Sequence, residues 1–254
     1  MQTTFLGVGE ACDPQLLNTS LLMWAGPKGD TCILLDCGFT AAHRFFAHTE
    51  DPDDLDALWL SHFHGDHFFG VPLLLLRLWE MQRRSPLIIL GPSGVEEIVG
   101  QAMDLAYPNV RSKMQYPLDF REVGPSDVLE LLGGQWRFAR TEHPRENLAL
   151  RLGFGGKSLY YSGDGQPSPA SRELAAGCQL IVQESYLIEH EVAGHGSVAA
   201  SLDLAREAGG ERLALVHMQR DERRRYARIF QAEVEKTPDL GLLLPLPDDS
   251  VDIE

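Results

Sequence analysis

Residues 61–67 read SHFHGDH, directly after the apolar run LDALWL at 55–60. Three of the chain's nine histidines and one aspartate fall within these seven positions. His62 and His64 alternate with Ser61 and Phe63 where a buried strand ends. Gly65 carries no side chain and lets the backbone turn tightly. Asp66 and His67 then open a helix, so four donors project into one pocket from two directions. Imidazole nitrogen and carboxylate oxygen suit a borderline-soft dication. Four ligands on six residues crowd a single tetrahedral ion that must keep an open position. Two ions about 3.5–4 Å apart, as in two-metal hydrolytic sites, suit them better. Asp66 alone would serve equally well as a helix N-cap, and the histidines alone as polar turn residues. The whole string H-x-H-x-D-H favours metal.

Working outward, short strands open the chain at TTFLG (3–7), LLMWA (21–25) and TCILLDC (31–37), with LDALWLS (55–61) as the next. A helix is expected from near Asp66 to Arg84, because Leu73, Leu74, Leu76, Leu78 and Trp79 are too many for an exposed stripe. LIILG (87–91) reads as a strand, with Ser93 as the cap of a helix over 94–106. The middle holds LDFREV, DVLELL, QWRFART, NLALRLGF and KSLYYSG, short strands parted by Gly or Pro pairs. The last third alternates strand QLIVQES, helix 197–208, strand RLALVHM, helix 222–235 and strand LGLLLP. Two runs of strands, each followed by αβ alternation, imply two sheets with helices outside: an α/β sandwich with a rough internal repeat.

Composition narrows the function classes. The chain has 254 residues, 44% apolar and 23% charged, which is globular, and the expectation is a single domain over 1–254. Its 37 acidic and 22 basic side chains give a net charge of −15, which opposes broad nucleic-acid binding. Cys12, Cys32, Cys37 and Cys178 include no C-x-x-C pair and read as buried free thiols in a reducing compartment. The start MQTTFLGVGEA lacks a basic, then long apolar, leader. The run VPLLLL (71–76) is far short of the roughly 20 residues that span a bilayer. A cytoplasmic protein with no membrane contact is expected.

SHFHGDH after an apolar strand resembles the signature of the metallo-β-lactamase-fold hydrolases. FLGVGEA near the start, NTS at 18–20 and ILLDCG at 33–38 resemble the branch that holds ribonuclease Z and related cyclic-phosphodiesterases. The resemblance covers most of the chain and implies a four-layer αββα sandwich. It also implies a third-ligand histidine ending a downstream strand, met by His143 in ARTEHPRENLALRL. A carboxylate in a Gly-rich turn is met by Asp164 in LYYSGDG, and a late-strand histidine by His217 in RLALVHM. Carried over in this way, site one is His62, His64 and His143. Site two is Asp66, His67 and His217, and Asp164 bridges the ions. Asp66 counts among the catalytic residues as well as the ligands. Asp36 resembles the family's early structural aspartate, beside the ligands rather than one of them.

Two ions serve lactams, lactones, thioesters and phosphodiesters alike, so the core names no substrate. The stretch QESYLIEHEVAGHGSVAASLDLAREAG (183–209) adds a distinction. It resembles the ribonuclease Z-type segment in which a Glu after a strand precedes a Gly-His-small stretch, here Glu184 and His195. A His held by a carboxylate can protonate a leaving alkoxide, which points to phosphodiesters. His190 reads as a loop residue. Arg220, Arg223, Arg224, Arg225 and Arg228 follow His217 and read as a solvated helix face, although some could meet a phosphate, as could Arg145. The resemblance places a tRNA-gripping arm between the third histidine and the bridging aspartate. Only the 20 residues 144–163 lie there, which argues against tRNA and for a small or nucleotide-like phosphodiester. Two divalent ions are expected, zinc by default, with manganese and iron as alternatives. A homodimer is implied by the resemblance alone. The rivals are a lactone, thioester or β-lactam hydrolase, ribonuclease Z-like tRNA 3′ processing, and a non-catalytic metal-binding protein.

Overall fold

The computed structural model describes residues 1–190 and 192–254. The first sheet begins as an antiparallel meander of β1 (Gln2–Gly7), β2 (Ser20–Ala25) and β3 (Thr31–Leu35). It continues in parallel through β4 (Leu55–Trp59), β5 (Leu87–Gly91) and β6 (Leu118–Glu122). The second sheet repeats the plan. Its antiparallel part is β7 (Val128–Leu131), β8 (Gly134–Arg140), β9 (Leu148–Phe154) and β10 (Lys157–Tyr161). Its parallel part adds β11 (Leu180–Glu184), β12 (Arg212–Val216) and β13 (Gly241–Leu243). A last strand, β14 (Ser250–Asp252), pairs with β1, so each sheet has seven strands.

Strand alternation builds three apolar layers. Ile33 and Leu35 on β3 face the other sheet, whereas Cys32 and Leu34 face helices. Between the sheets lie Phe5, Trp59, Trp136, Phe138, Leu150 and Val182, with the Trp59 and Phe138 rings 4.9 Å apart. Outside the first sheet pack α1 (Ala41–His48), α3 (Val71–Glu80) and α4 (Val95–Ala106). Outside the second pack α5 (Pro169–Ala175), α6 (Val198–Ala208) and α7 (Arg220–Lys236). The order is helix, sheet, sheet, helix, as expected. Strands buried on both faces read as unbroken apolar runs, which is why LIILG and RLALV were legible. No helix among the described residues is long and apolar enough to cross a membrane.

Several local expectations need correction. The single helix over 66–84 is two: α2 (Gly65–Phe68) and α3. Between them the Gly70 amide leaves the helical ladder to donate to the Cys37 carbonyl at 2.8 Å, and Pro72 starts the next helix. The second piece ends at Glu80, because Gln82 turns left-handed (φ 64°) and Arg83 folds inward onto the carbonyls of Pro52, Leu55, Ser85 and Pro86. Ser93 does not cap α4. Its hydroxyl donates to Glu122, whose other oxygen accepts the Gly94 amide. Of the four free thiols, Cys12 is exposed rather than buried. α1, α5 and β14 were not anticipated, and α7 starts at Arg220, two residues early.

The close approach of two loops sets the active end. The Cys37 amide donates to the His67 carbonyl at 2.8 Å, so the loop after β3 lies against α2. A Cβ on Gly38 would run into the Asp66 backbone oxygen. Gly38→Ala is therefore expected to lower the Tm by roughly 5–10 °C, measured by thermal unfolding. An unchanged Tm contradicts the contact.

Candidate metal centre and active site

Every donor in question follows the C-terminal end of a strand, and all gather at one end of the two sheets. Asp36 follows β3, His62 and His64 follow β4, and His143 follows β8. Asp164 follows β10, Glu184 ends β11 and His217 follows β12. The sequence repeat thus becomes a geometric one, with each sheet contributing donors from its parallel strands and the second adding His143 from the antiparallel β8.

The predicted ligands fall into two overlapping groups, whose ligand atoms within each group lie within 4.8 Å of one another. One is His62, His64, His143 and Asp164. The other is Asp66, His67, Asp164 and His217, with Asp164 common to both. Asp164 Oδ1 stands 3.2 Å from His67 Nε2 and 3.4 Å from His217 Nε2, and its Oδ2 stands 3.7 Å from His62 Nε2. His64 Nδ1 and His143 Nε2 are 3.2 Å apart. Asp66 Oδ2 lies 3.2 Å from His217 Nε2 and 3.4 Å from His67 Nε2.

Side-chain and backbone partners aim these donors. Asp36 is fully buried and left-handed (φ 59°). It accepts hydrogen bonds from the Ser61 amide (2.7 Å), the Ser61 hydroxyl (2.8 Å) and the Tyr161 hydroxyl (2.6 Å). Its Oδ2 also accepts from His67 Nδ1 at 2.7 Å, which leaves Nε2 as the His67 nitrogen turned toward the centre. His143 Nδ1 donates to the Gly194 carbonyl at 3.0 Å, freeing Nε2 likewise. Asn147 clamps the Asp164 turn. Its amide nitrogen donates to the carbonyls of Ser162 and Asp164, and its oxygen accepts the Asp164 amide. Gly163 takes φ 59° there, and a Cβ on it would strike Asn147 and Ser61.

The residues fit divalent cations. His62 Nε2, His67 Nε2 and Asp164 Oδ1 are buried without a hydrogen-bond partner. Leaving such atoms unsatisfied costs about 1–3 kcal/mol each, and a shared cation removes the cost. The electrostatics also suit a cation. Burial pushes His62, His64 and His143 down toward the neutral ligand form. Burial also acts downward on His217, but the Asp164 and Asp66 carboxylates outweigh it and hold His217 at about 9. His67 rises well above its usual value for the same reason, with Asp164 and Asp36 as the carboxylates. Asp164 lies well below the ordinary carboxylate range, its burial outweighed by His217, His67 and His62.

Beside this centre Glu184 is fully buried. Its Oε1 accepts from His195 Nδ1 at 2.9 Å, and its Oε2 accepts the amides of Gly196 (2.9 Å) and Gly165 (3.2 Å). Burial raises the Glu184 carboxyl, while its hydrogen bond raises His195. The His195 ring is 5.3 Å from that of His143 and 6.3 Å from that of His217.

A protein-family model described as Anti-Pycsar protein Apyc1 matches residues 1–235. The chain belongs to this Apyc1 family. It is similar to ribonuclease BN of Escherichia coli, 27% identical over 275 aligned residues that cover 86% of this chain and 89% of that protein. Ribonuclease Z of Methanosarcina acetivorans is 26% identical, over 86% and 87% of the two chains. The crystal structure of the metallo-β-lactamase fold protein YhfI from Bacillus subtilis superimposes with a TM-score of 0.78 at 20% identity, covering 99% of each chain. The expected fold and the ribonuclease Z-like branch are borne out, and the Apyc1-family chain is a metal-dependent hydrolase.

In this Apyc1-family chain the structure brings together all seven expected donors and the Glu184–His195 pair. The arginines after His217 split up. Arg220 pairs with the buried Glu10 at 2.9 Å, and Arg223 is buried on the carbonyls of Leu215, Leu244 and Pro245. Arg224 and Arg225 pair with acidic neighbours on a solvated face, as expected. His190 is an exposed loop residue. Sequence reasoning missed Asn147, Tyr161 and Tyr186, whose ring stacks on His195 at 4.7 Å. Asn147 immediately precedes a strand and Tyr161 ends one, so each reads as an ordinary strand-boundary residue.

An imidazole at about 9 is protonated at pH 7, whereas a ligand must be neutral. Zinc loading at pH 7 is therefore expected to release protons, fewer as the pH passes 9. Calorimetry in buffers of different ionisation enthalpy measures this. Loading without proton release contradicts His217 as a ligand.

Proposed function

We propose that the chain is a phosphodiesterase acting on a small, nucleotide-like phosphodiester with two divalent ions, zinc by default. The observation that carries this reading is the His195–Glu184 pair beside the two donor groups. His62, His64 and His143 would hold one ion, and Asp66, His67 and His217 the other, with Asp164 between them. When bound, such a pair lowers the pKa of a shared water and neutralises phosphoryl charge.

The chain's own residues supply the remaining chemistry. Displacement at phosphorus expels an alkoxide, which needs a proton. Glu184 occupies His195 Nδ1, so Nε2 is the nitrogen that gives its proton to the leaving oxygen. The Gly165 and Gly196 amides fix Glu184, and Tyr186 holds the imidazole from one face. The Glu184 hydrogen bond raises His195, so its acid form persists to higher pH than that of a free histidine. Arg145 is exposed, with its guanidinium 5.9 Å over the Phe63 ring and close enough to lower His64. It lies against the SHFHGDH turn, where it can take a phosphoryl oxygen.

The ribonuclease names belong to the relatives. For this chain a smaller ester is favoured over tRNA. Where the resemblance puts an arm, β9 and β10 form a hairpin through Gly155 and Gly156. The net charge of −15 also opposes a polyanion. A homodimer, carried only by the resemblance, and a cytoplasmic setting, supported by four free thiols, complete the proposal.

Metal analysis followed by a panel of bis-p-nitrophenyl phosphate, 2′,3′-cyclic nucleotides and lactones tests the class. Turnover of lactones alone overturns it. His195→Ala is expected to keep its metal and to lose about 10²–10⁴-fold on esters with alkoxide leaving groups. It should lose far less on p-nitrophenyl esters, whose leaving group needs no proton. Equal loss on both contradicts the acid role.

A further inference from the structure

Among the described residues, Phe39 and Phe69 are the two aromatic members of the exposed large hydrophobic set, each 54% open. They are distant in sequence, yet their ring centroids lie 5.7 Å apart at 57°. The apolar layer beneath takes in Phe63 and Phe68 but neither of these two. An exposed pair of rings contributes little to the fold while it faces water.

Their position ties them to the centre. Phe39 follows Asp36-Cys37-Gly38, and Phe69 follows Asp66-His67-Phe68. Both rings reach Gly65, which joins His64 of one donor group to Asp66 of the other. A Cβ on Gly65 would stand 2.7 Å from the Phe69 ring and 2.9 Å from Phe39 Cζ. The pair therefore forms an apolar rim of two tilted rings on the turn that carries both groups. A phosphate held at the donors would leave its organic substituent within reach of that rim. Every nucleobase has a π face, and stacking on aromatic side chains holds bases without added charge. That suits a chain with a net charge of −15.

We propose that Phe39 and Phe69 form a nucleobase subsite, stacking the base of a nucleoside phosphodiester whose phosphate lies between the two donor groups. The subsite rests on the phosphodiesterase reading above. It extends that reading by naming the substituent that is recognised and the residues that recognise it.

Two esters with the same leaving group isolate the base: thymidine 5′-(p-nitrophenyl phosphate) and methyl p-nitrophenyl phosphate. The zinc-loaded protein is expected to prefer the thymidine ester in kcat/KM. Phe39→Ala and Phe69→Ala should each reduce that preference about tenfold, mainly through KM. Phe69→Leu, which keeps apolar bulk without a π face, should lose most of it as well. Leu246→Ala, an equally exposed side chain outside the centre, should keep it. No wild-type preference, or equal losses on both esters, overturns the subsite. Calorimetric binding of adenosine 5′-monophosphate against inorganic phosphate gives a second readout without turnover. The Phe variants should weaken the nucleotide about tenfold and leave phosphate unchanged. Failure of both esters in the wild type counts against the phosphodiesterase reading, while the binding comparison still tests the subsite. Phe variants that change the sedimentation coefficient of the protein and leave nucleotide binding intact would mark the rim as a contact between copies and overturn the proposal.

Discussion

The buried carboxylate of Asp164 is the constraint on which the rest of this centre depends. One oxygen faces His67 and His217, the other faces His62, and all lie within 3.7 Å. A lone buried carboxylate carries a desolvation cost of several kcal/mol unless opposite charge and hydrogen bonds offset it. Here its Oδ1 has no hydrogen-bond donor, and the His62 and His67 imidazoles turn unpaired Nε2 atoms inward. Cations resolve both deficits at once. Asp164 in turn is held by Asn147, and His67 by Asp36, so residues that touch no substrate set the geometry.

The architecture explains why such a site forms at this end. Two sheets with the same strand plan face each other, and their apolar layer keeps them in register. Parallel strands end together, and their loops must turn out of the sheet at one rim. The loops carry polar side chains into the crevice between the sheets, four of them from the turn after β4. The first sheet supplies the dense SHFHGDH turn and Asp36. The second supplies His143, Asp164, Glu184 and His217 singly. This arrangement keeps most donors buried while His195 stays partly open to substrate.

Much of this was legible before the structure. Unbroken apolar runs marked the parallel strands, and the spacing within SHFHGDH marked the donors because no packing role calls for three histidines there. His143, Asp164, Glu184, His195 and His217 were legible only through a resemblance, since each sits alone in ordinary loop composition. What stayed hidden depends on tertiary contact. The break at Gly70 is made by a bond to Cys37 from another loop. Ser93 lost its cap role to Glu122, which lies 29 positions away in sequence. Asn147 and Tyr161 work through partners that only the fold brings near. Phe39 and Phe69 belong to different loops, and nothing in either stretch foretells that their rings meet.

The central claim is that one carboxylate joins two metal sites. Anomalous diffraction from crystals of the zinc-loaded protein tests it most directly. The account predicts two zinc peaks about 3.5–4 Å apart, flanking Asp164, with His62, His64 and His143 around one and Asp66, His67 and His217 around the other. A single fully occupied zinc, or two sites that do not share Asp164, would contradict it.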